Sequence, residues 1–194
     1  MQALPAAPAP PPRRQVLVGT AFASGATLML IGGMLAVWYQ QRARAEDAGE
    51  AWLPEGITIP EVPTNVILFG LLGLLIFAQW AVYAARRRDR INTGLALGLV
   101  ALMALAVINA QVFIFNQIDL PVADETAGYA VMFYAVTGTM TALFIVGMVF
   151  TLVAAFRFLG GRLHDQELVA AHALYWYVLS AAYAAVWFVV YVTK

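Results

Sequence analysis

The sequence predicts an all-α fold: a polytopic membrane helix bundle of five transmembrane helices, with the N-terminus cytoplasmic and the C-terminus outside. Three observations carry this reading. Of 194 residues 62% are hydrophobic and only 11% are charged, too few charges to build a water-facing surface. Five apolar stretches, at 16–40, 63–85, 93–117, 127–156 and 168–192, each reach the roughly 20 residues that a bilayer demands, and none contains Asp, Glu, Lys or Arg. Between the second and third, the run Arg86-Arg87-Arg88-Asp89-Arg90 holds four of the eleven basic residues. Each such charge costs about 2.5–3.5 kcal/mol at the centre of a span, so the run is a water-facing loop.

Residues 1–15 form an Ala/Pro-rich leader, predicted to be disordered and cytoplasmic because proline removes donors and the segment has little to bury. The bundle occupies 16–194. Arg13 and Arg14 followed by an apolar run resemble a signal peptide, yet the run continues to Tyr39, beyond the about 7–15 residues of a signal core, so a retained first helix is expected. In lipid every backbone polar group must be paired within its own segment, which makes each span a helix. The fourth stretch is the longest and is expected to tilt or protrude. The first outer loop, 42–62, carries Trp52, Pro54 and Pro60, with Pro63 just beyond it; these favour turns and extended backbone, and the loop is expected to lie on the membrane surface.

Orientation follows from the positive charges. Arg13, Arg14, Arg86, Arg87, Arg88, Arg90, Arg157 and Arg162 fall on one side, against Arg42, Arg44 and Lys194 on the other. Positive loops stay cytoplasmic, so Arg86, Arg87, Arg88 and Arg90 dominate the topology.

Composition also excludes functions. A formal charge of zero, with no basic patch beyond that run, removes nucleic acid as a partner. The absence of cysteine removes disulfides, thiolate metal sites and cysteine nucleophiles. His164 and His172 are the two histidines, read as near the surface, which leaves no ligand set for a metal or haem. Gln79, Asn109, Gln111, Thr137, Thr139, Thr141 and Ser180 are the deep polar groups, expected to bond neighbouring helices or their own backbone. Without ionisable groups at depth a proton or ion pathway has nothing to run through, and a small transporter or channel would want broken helices and internal repeats.

Small residues at helical spacing, namely Gly19, Ala23 and Ala26, then Gly94, Gly98 and Ala101, and Ala181 with Ala185, suit close helix packing, either within the chain or against another subunit. Trp176, Tyr183, Trp187 and Tyr191 share one stripe of the fifth helix at about 100° per residue. Such a stripe is first a packing surface, and its end residues suit the membrane interface.

Several segments, taken in order, resemble subunit III of the haem-copper terminal oxidases in a short bacterial five-helix form. Tyr175-Trp176-Tyr177-Val178-Leu179-Ser180 and the aromatics after it resemble the family's closing Y-W-H-F-V-D segment. Gly128-Tyr129, Phe133 and Val136-Thr137-Gly138 resemble its penultimate helix; Trp52-Leu53-Pro54-Glu55-Gly56-Ile57 resembles its W-P-P-x-G-I loop, and Pro63-Thr64-Asn65 with Trp80-Ala81 fits the helix that follows. The departures fall on the family's polar membrane residues. Gly25 follows Ser24 where the family has Glu, Gly138-Thr139-Met140-Thr141-Ala142-Leu143 replaces a segment with two imidazoles, Val82 and Tyr83 replace paired histidines, and Tyr177 and Ser180 stand for His and Asp.

The resemblance implies a non-catalytic accessory subunit of a cytochrome c oxidase, in a bacterial plasma membrane. Such a subunit packs on the catalytic subunit I and other oxidase subunits, holds membrane lipids, and supports aerobic electron transport and proton uptake, with a respiratory supercomplex as a wider setting. It implies no cofactor in this chain, with haem and copper in partner subunits. Trp80, Tyr129, Thr137, Gly138, Trp176, Tyr183, Trp187 and Tyr191 are the implied candidate contacts with subunits or lipid. A related accessory role in a quinol oxidase or nitric oxide reductase stays open at this point.

Overall fold

The computed structural model describes residues 14–54, 56–118, 120, 128–162 and 165–193. The predicted leader lies outside these apart from Arg14 and Gln15, as do Arg13, His164 and Lys194. The described residues form five helices: α1 (Gln15–Asp47), α2 (Glu61–Arg86), α3 (Arg90–Gln117), α4 (Gly128–Leu159) and α5 (Gln166–Val186), the last running on as a π-helical turn, Trp187–Val192. All five are long and apolar enough to cross a membrane, as predicted.

Most boundaries fall within a few residues of the apolar stretches. The exception is α1, which continues past Gln40 to Asp47 and shortens the expected loop to 48–60. The extra turns are polar but good helix, closed by an Arg42 Nε to Glu46 Oε1 bond of 2.8 Å at i,i+4. At α2, Glu61 favours the positive helix N-terminus, and Pro63 sits in the first turn, where its missing N–H costs nothing.

Three helices end in the same way. Residues Gly49, Arg88 and Gly161 take positive φ (75°, 59° and 99°), and after each the next N–H reaches back six residues inclusive: Glu50 to Ala45, Asp89 to Ala84 and Arg162 to Arg157. Arg88 alone does this with a Cβ, in a conformation that costs a non-glycine residue about 1–2 kcal/mol. The turn is short because Asp89 caps α3 at once, accepting from Asn92 N at 3.0 Å and Asn92 Nδ2 at 2.6 Å. The Asn92 side-chain amide, then its backbone N–H, hold the Asp89 carboxyl below its usual range.

The helices run up and down. At one end, the arginine end, the Arg90 guanidinium binds the Leu159 carbonyl at the close of α4, Leu17 N donates to Glu167 Oε1 (3.0 Å), and Arg157 pairs with Asp165 (2.9 Å). Arg87 lies over the Tyr83 ring at 4.3 Å. At the far end Arg42 Nη1 donates to the Thr193 carbonyl (2.7 Å) and Tyr134 to the Ile118 carbonyl (3.2 Å). The described loops therefore gather at two opposite ends of the bundle.

Helix α5 is the axis of the bundle, packing on α1, α2 and α4, while α2 and α3 form the closest antiparallel pair and α3 also packs on α4. The core contains Trp38, Leu71, Leu74, Leu97, Phe133, Phe144, Phe158, Trp176 and Tyr183, all within 1% of full burial. The small-residue faces divide. Gly94 packs against Leu159, but Gly19 and Gly98 meet no neighbour within the chain, and Gly19, Ala23, Ala26, Gly98, Ala181 and Ala185 are exposed. Of the two readings of those faces, packing within the chain holds for Gly94, and Ala101 is half-buried.

Candidate functional site

Two polar-aromatic centres stand out, one toward each end. At the far end Trp38 of α1, Trp52 of the loop and Tyr129 of α4 form a triangle of mutually edge-on rings, with centroids 5.2, 5.3 and 5.5 Å apart. Trp52 is only 8% exposed, so the loop is pinned into the bundle by its own indole. Phe133 stacks on Tyr129 and meets Tyr191 of the π turn edge-on at 6.1 Å. The indole N–H groups of Trp38 and Trp52 and the Tyr129 hydroxyl have no hydrogen-bond partner among the described residues.

Toward the arginine end, Thr151 of α4 is the hub of a buried network. Its Oγ1 lies 2.8 Å from His172 Nε2, accepts from Trp176 Nε1 at 3.1 Å and donates to the Gly147 carbonyl at 2.8 Å. With the hydroxyl proton committed to Gly147, His172 donates from Nε2 to Thr151, and its Nδ1 has no partner among the described residues. Phe150 stands edge-on to His172 at 5.8 Å and Phe144 stacks on Trp176 at 6.5 Å. Gly147 admits this crowding: a Cβ there would meet Trp176 Cζ2 at 2.8 Å and Tyr175 Cε1 at 3.0 Å.

His172 is therefore a correction. Expected near the surface, it is fully buried, because its face of α5 turns toward α4 and not toward water. The sequence held one pointer: His172 and Trp176 stand at i,i+4, so they share a face. Thr151 gave none, since a lone threonine in an apolar helix bonds back to its own chain, as Thr27, Thr137 and Thr141 do at 3.0, 2.6 and 2.8 Å.

The eight candidate contact residues separate by burial. Tyr129, Thr137, Trp176, Tyr183 and Tyr191 lie in the chain's own core; Trp80, Gly138 and Trp187 remain half-buried. The aromatic stripe of α5 also splits. Trp187 Nε1 donates to Asn65 of α2 (3.1 Å), whereas Tyr191 reaches Gln111 of α3 (3.5 Å), because the π turn rotates the backbone less per residue and swings Tyr191 off the line. Tyr177 donates to Gln79 of α2 at 2.8 Å, joining two helices where the resembled family has an imidazole. The Arg86–Arg90 run closes the α2–α3 turn and ties it to α4, as described above.

Chemically the interior offers hydrogen bonds and packing. Among the described residues no three His, Asp or Glu side chains come close enough to hold a metal ion.

Comparison with known proteins decides the family. Residues 17–194 match the family described as cytochrome c oxidase subunit III. The chain belongs to that family. It is 26% identical over 158 residues to the cytochrome c oxidase subunit 3 of Rhizopus stolonifer, covering 80% of this chain and 56% of the relative. It is 29% identical over 164 residues to that of Strongylocentrotus purpuratus, covering 80% and 59%. The chain thus spans somewhat under three fifths of the length of these curated relatives. Membership of the subunit III family accords with a five-span membrane bundle.

Proposed function

We propose that the chain is a non-catalytic accessory subunit of a respiratory terminal oxidase, residing in a bacterial plasma membrane with its arginine end in the cytoplasm. It packs on the catalytic subunit I, which with other partners carries the haem and copper, and it holds lipid and sustains turnover. The observation that carries this is the subunit III match over residues 17–194, in a chain whose five apolar stretches contain no Asp, Glu, Lys or Arg. Such a bundle suits scaffolding another protein's chemistry: its apolar stretches carry no carboxylate, lysine or arginine, and its buried imidazole, His172, is engaged by Thr151.

The family's acidic and imidazole positions are occupied here by Gly25, Met140, Tyr177 and Ser180, which supports action by packing and lipid retention, without direct proton delivery. Of the candidate contacts, the half-buried Trp80, Gly138 and Trp187 would meet partner subunits or lipid, while the buried five shape the surface that docks. The exposed small faces on α1 and α5 suit close approach by partner helices.

The test is gentle detergent extraction through a tag on this chain, followed by optical spectra. Haem bands that travel with the tag, and are missing from the chain purified alone in strong detergent, are the expected result. A chain that comes out with no haem protein from aerobically respiring cells would sink the proposal. Loss of proton-pumping stoichiometry in an otherwise complete complex lacking this chain would refute the restriction to packing and lipid.

A further inference from the structure

We propose that the outward face of α3 is a self-association seam, through which two copies of this chain pair in the membrane with Asn109 of each hydrogen-bonded to Asn109 of the other. This goes beyond the accessory function proposed above and does not rest on it.

The spacing of the exposed residues defines the seam. Leu95, Gly98, Leu102, Leu105, Asn109 and Val112 follow one another at alternating steps of three and four, and all are exposed. Ile91 and Asn116 extend the series by one step at either end and are exposed too. That is a strict 3.5-residue repeat over nearly the whole of α3, the period at which two helices wind round each other left-handedly with their apolar side chains interlocked. At Gly98 a Cβ would meet nothing within 4 Å, which leaves space for a facing backbone. Beside the far half of the seam, α2 and α3 leave a groove of about 460 Å3, lined in part by Val62, Val66, Ala106 and Ala110, that can take the side chains of a partner helix.

A face turned to lipid alone would be apolar throughout at this depth, and Asn109 departs from that. With α3 running from Arg90 to Gln117, Asn109 stands about 8 Å past its middle at 1.5 Å per residue. Hydrocarbon extends roughly 15 Å to either side of the bilayer centre, so the amide lies inside it. Asn109 makes no hydrogen bond among the described residues, whereas Gln79, an exposed amide on α2, is taken by Tyr177. Hydrocarbon offers an amide no partner, so the partner comes from a neighbouring helix. In a heptad seam, a single asparagine sets the register and the number of strands.

The bilayer makes a second copy the fitting occupant. Copies inserted the same way are related by a twofold axis along the membrane normal, so their α3 helices run parallel and each seam residue meets its own counterpart at the same depth. An amide is donor and acceptor at once, which makes Asn109 complementary to itself, and Asn116 likewise. The other seam residues are leucine, isoleucine, valine and glycine, so no charge meets its like. Arg90, the first charge beyond the seam, is turned onto the Leu159 carbonyl of α4. Helix α3 packs on α2 and α4, whereas α1 packs on α5 and α4, so pairing through α3 leaves the exposed small faces of α1 open to a different subunit.

The chain has no cysteine, so single-cysteine variants of the full chain report contacts directly. Under oxidation in native membranes, Leu105→Cys and Val112→Cys should each give a disulfide-linked dimer, because a symmetric parallel seam brings each residue within reach of itself. Val149→Cys, exposed on α4, should stay monomeric. Asn109→Leu, added to Leu105→Cys, should slow linking about tenfold, the weight of an interhelical amide bond at the strong end of its range, and Asn109→Gln, which keeps an amide, should restore most of the rate. All of these positions are exposed, and thermal melting of each variant should match the parent.

Linking at Val149→Cys as fast as at the seam would reveal random collision and overturn the proposal. So would the absence of linked dimer at both Leu105→Cys and Val112→Cys, or linking that ignores Asn109→Leu. A photo-crosslinker at position 105 that captures a different polypeptide in place of a second copy assigns the face to that subunit and overturns the pairing of copies.

Discussion

Helices α1 and α5 are both apolar enough to cross a membrane, yet they are used in opposite ways. In the most apolar window of α5, 56% of residues are buried inside the chain; in that of α1, 17% are. The first half of α1 turns only Ser24, Thr27 and Ile31 inward and presents Phe22, Met29 and Leu30 outward, whereas α5 buries His172, Trp176, Leu179, Tyr183 and Val186. Hydrophobicity alone does not separate these roles, because lipid is as apolar as leucine and gives no drive to bury either helix. Partners separate them: α5 brings rings, an imidazole and hydroxyl neighbours that only protein can satisfy, and α1 brings small residues with nothing yet against them.

The sharpest way to break this contrast is to remove the anchor of α5. Trp176→Ala deletes a fully buried ring and one of the partners of Thr151, and should cost about 3–5 kcal/mol of stability, read as a lower thermal midpoint in detergent. A neutral outcome would mean that α5 is not the axis of the bundle.

Glycines give a paired comparison of intermediate size. Gly147→Ala would push a methyl into Trp176 and Tyr175 and should destabilise by about 1–3 kcal/mol. Gly33→Ala on α1 meets nothing and should leave the isolated chain unchanged or more stable by up to about 1 kcal/mol, through helix propensity alone. If the two behaved alike, the division between inward and outward helices would be wrong.

Smaller still is the turn joining α2 to α3. Arg88→Gly relieves the positive φ and should raise stability by about 1 kcal/mol, measured by the same melting assay. Least of all is the acid response of the α3 cap. The Asp89 carboxyl titrates below its ordinary value, so its contribution is complete above that value and fades as pH falls through the lower, folded one. The protection of the Asn92 amide from hydrogen exchange, taken relative to the intrinsic rate at each pH, should fall only in acid, while amides in mid-helix stay protected.

Much of the fold was legible because bilayer thickness imposes a length and forbids charge, and both are visible residue by residue. The five spans and the arginine loop between the second and third follow from that. What was not legible depends on neighbours. The polar turns that carry α1 to Asp47 lie beyond the apolar window, and the Arg42 to Glu46 pair that favours them also suits a loop. His172 looked superficial from its place near the start of α5, because periodicity assigns residues to a face without saying which helix that face meets. The same gap concealed Thr151 as its partner on α4. The α5 stripe was drawn with one angular step throughout, and the π turn at Trp187–Val192 changes that step, so Trp187 and Tyr191 reach different helices. The eight candidates were chosen by likeness to several of the family's segments, which marks shared packing as readily as a docking surface; five of the eight proved to be interior.

One arrangement bears on how the protein is made. Helix α1 packs mainly on α5 and then on α4, and its Leu17 amide is tied to Glu167, 150 residues later. On the ribosome the first span therefore enters the bilayer long before its mates exist. At about 5–20 residues per second, the interval between finishing Asp47 and reaching Gln166 is on the order of ten seconds. Throughout that wait α1 is held by lipid, by the insertion machinery or by a neighbouring subunit already in place, so assembly around this chain can begin before its translation ends.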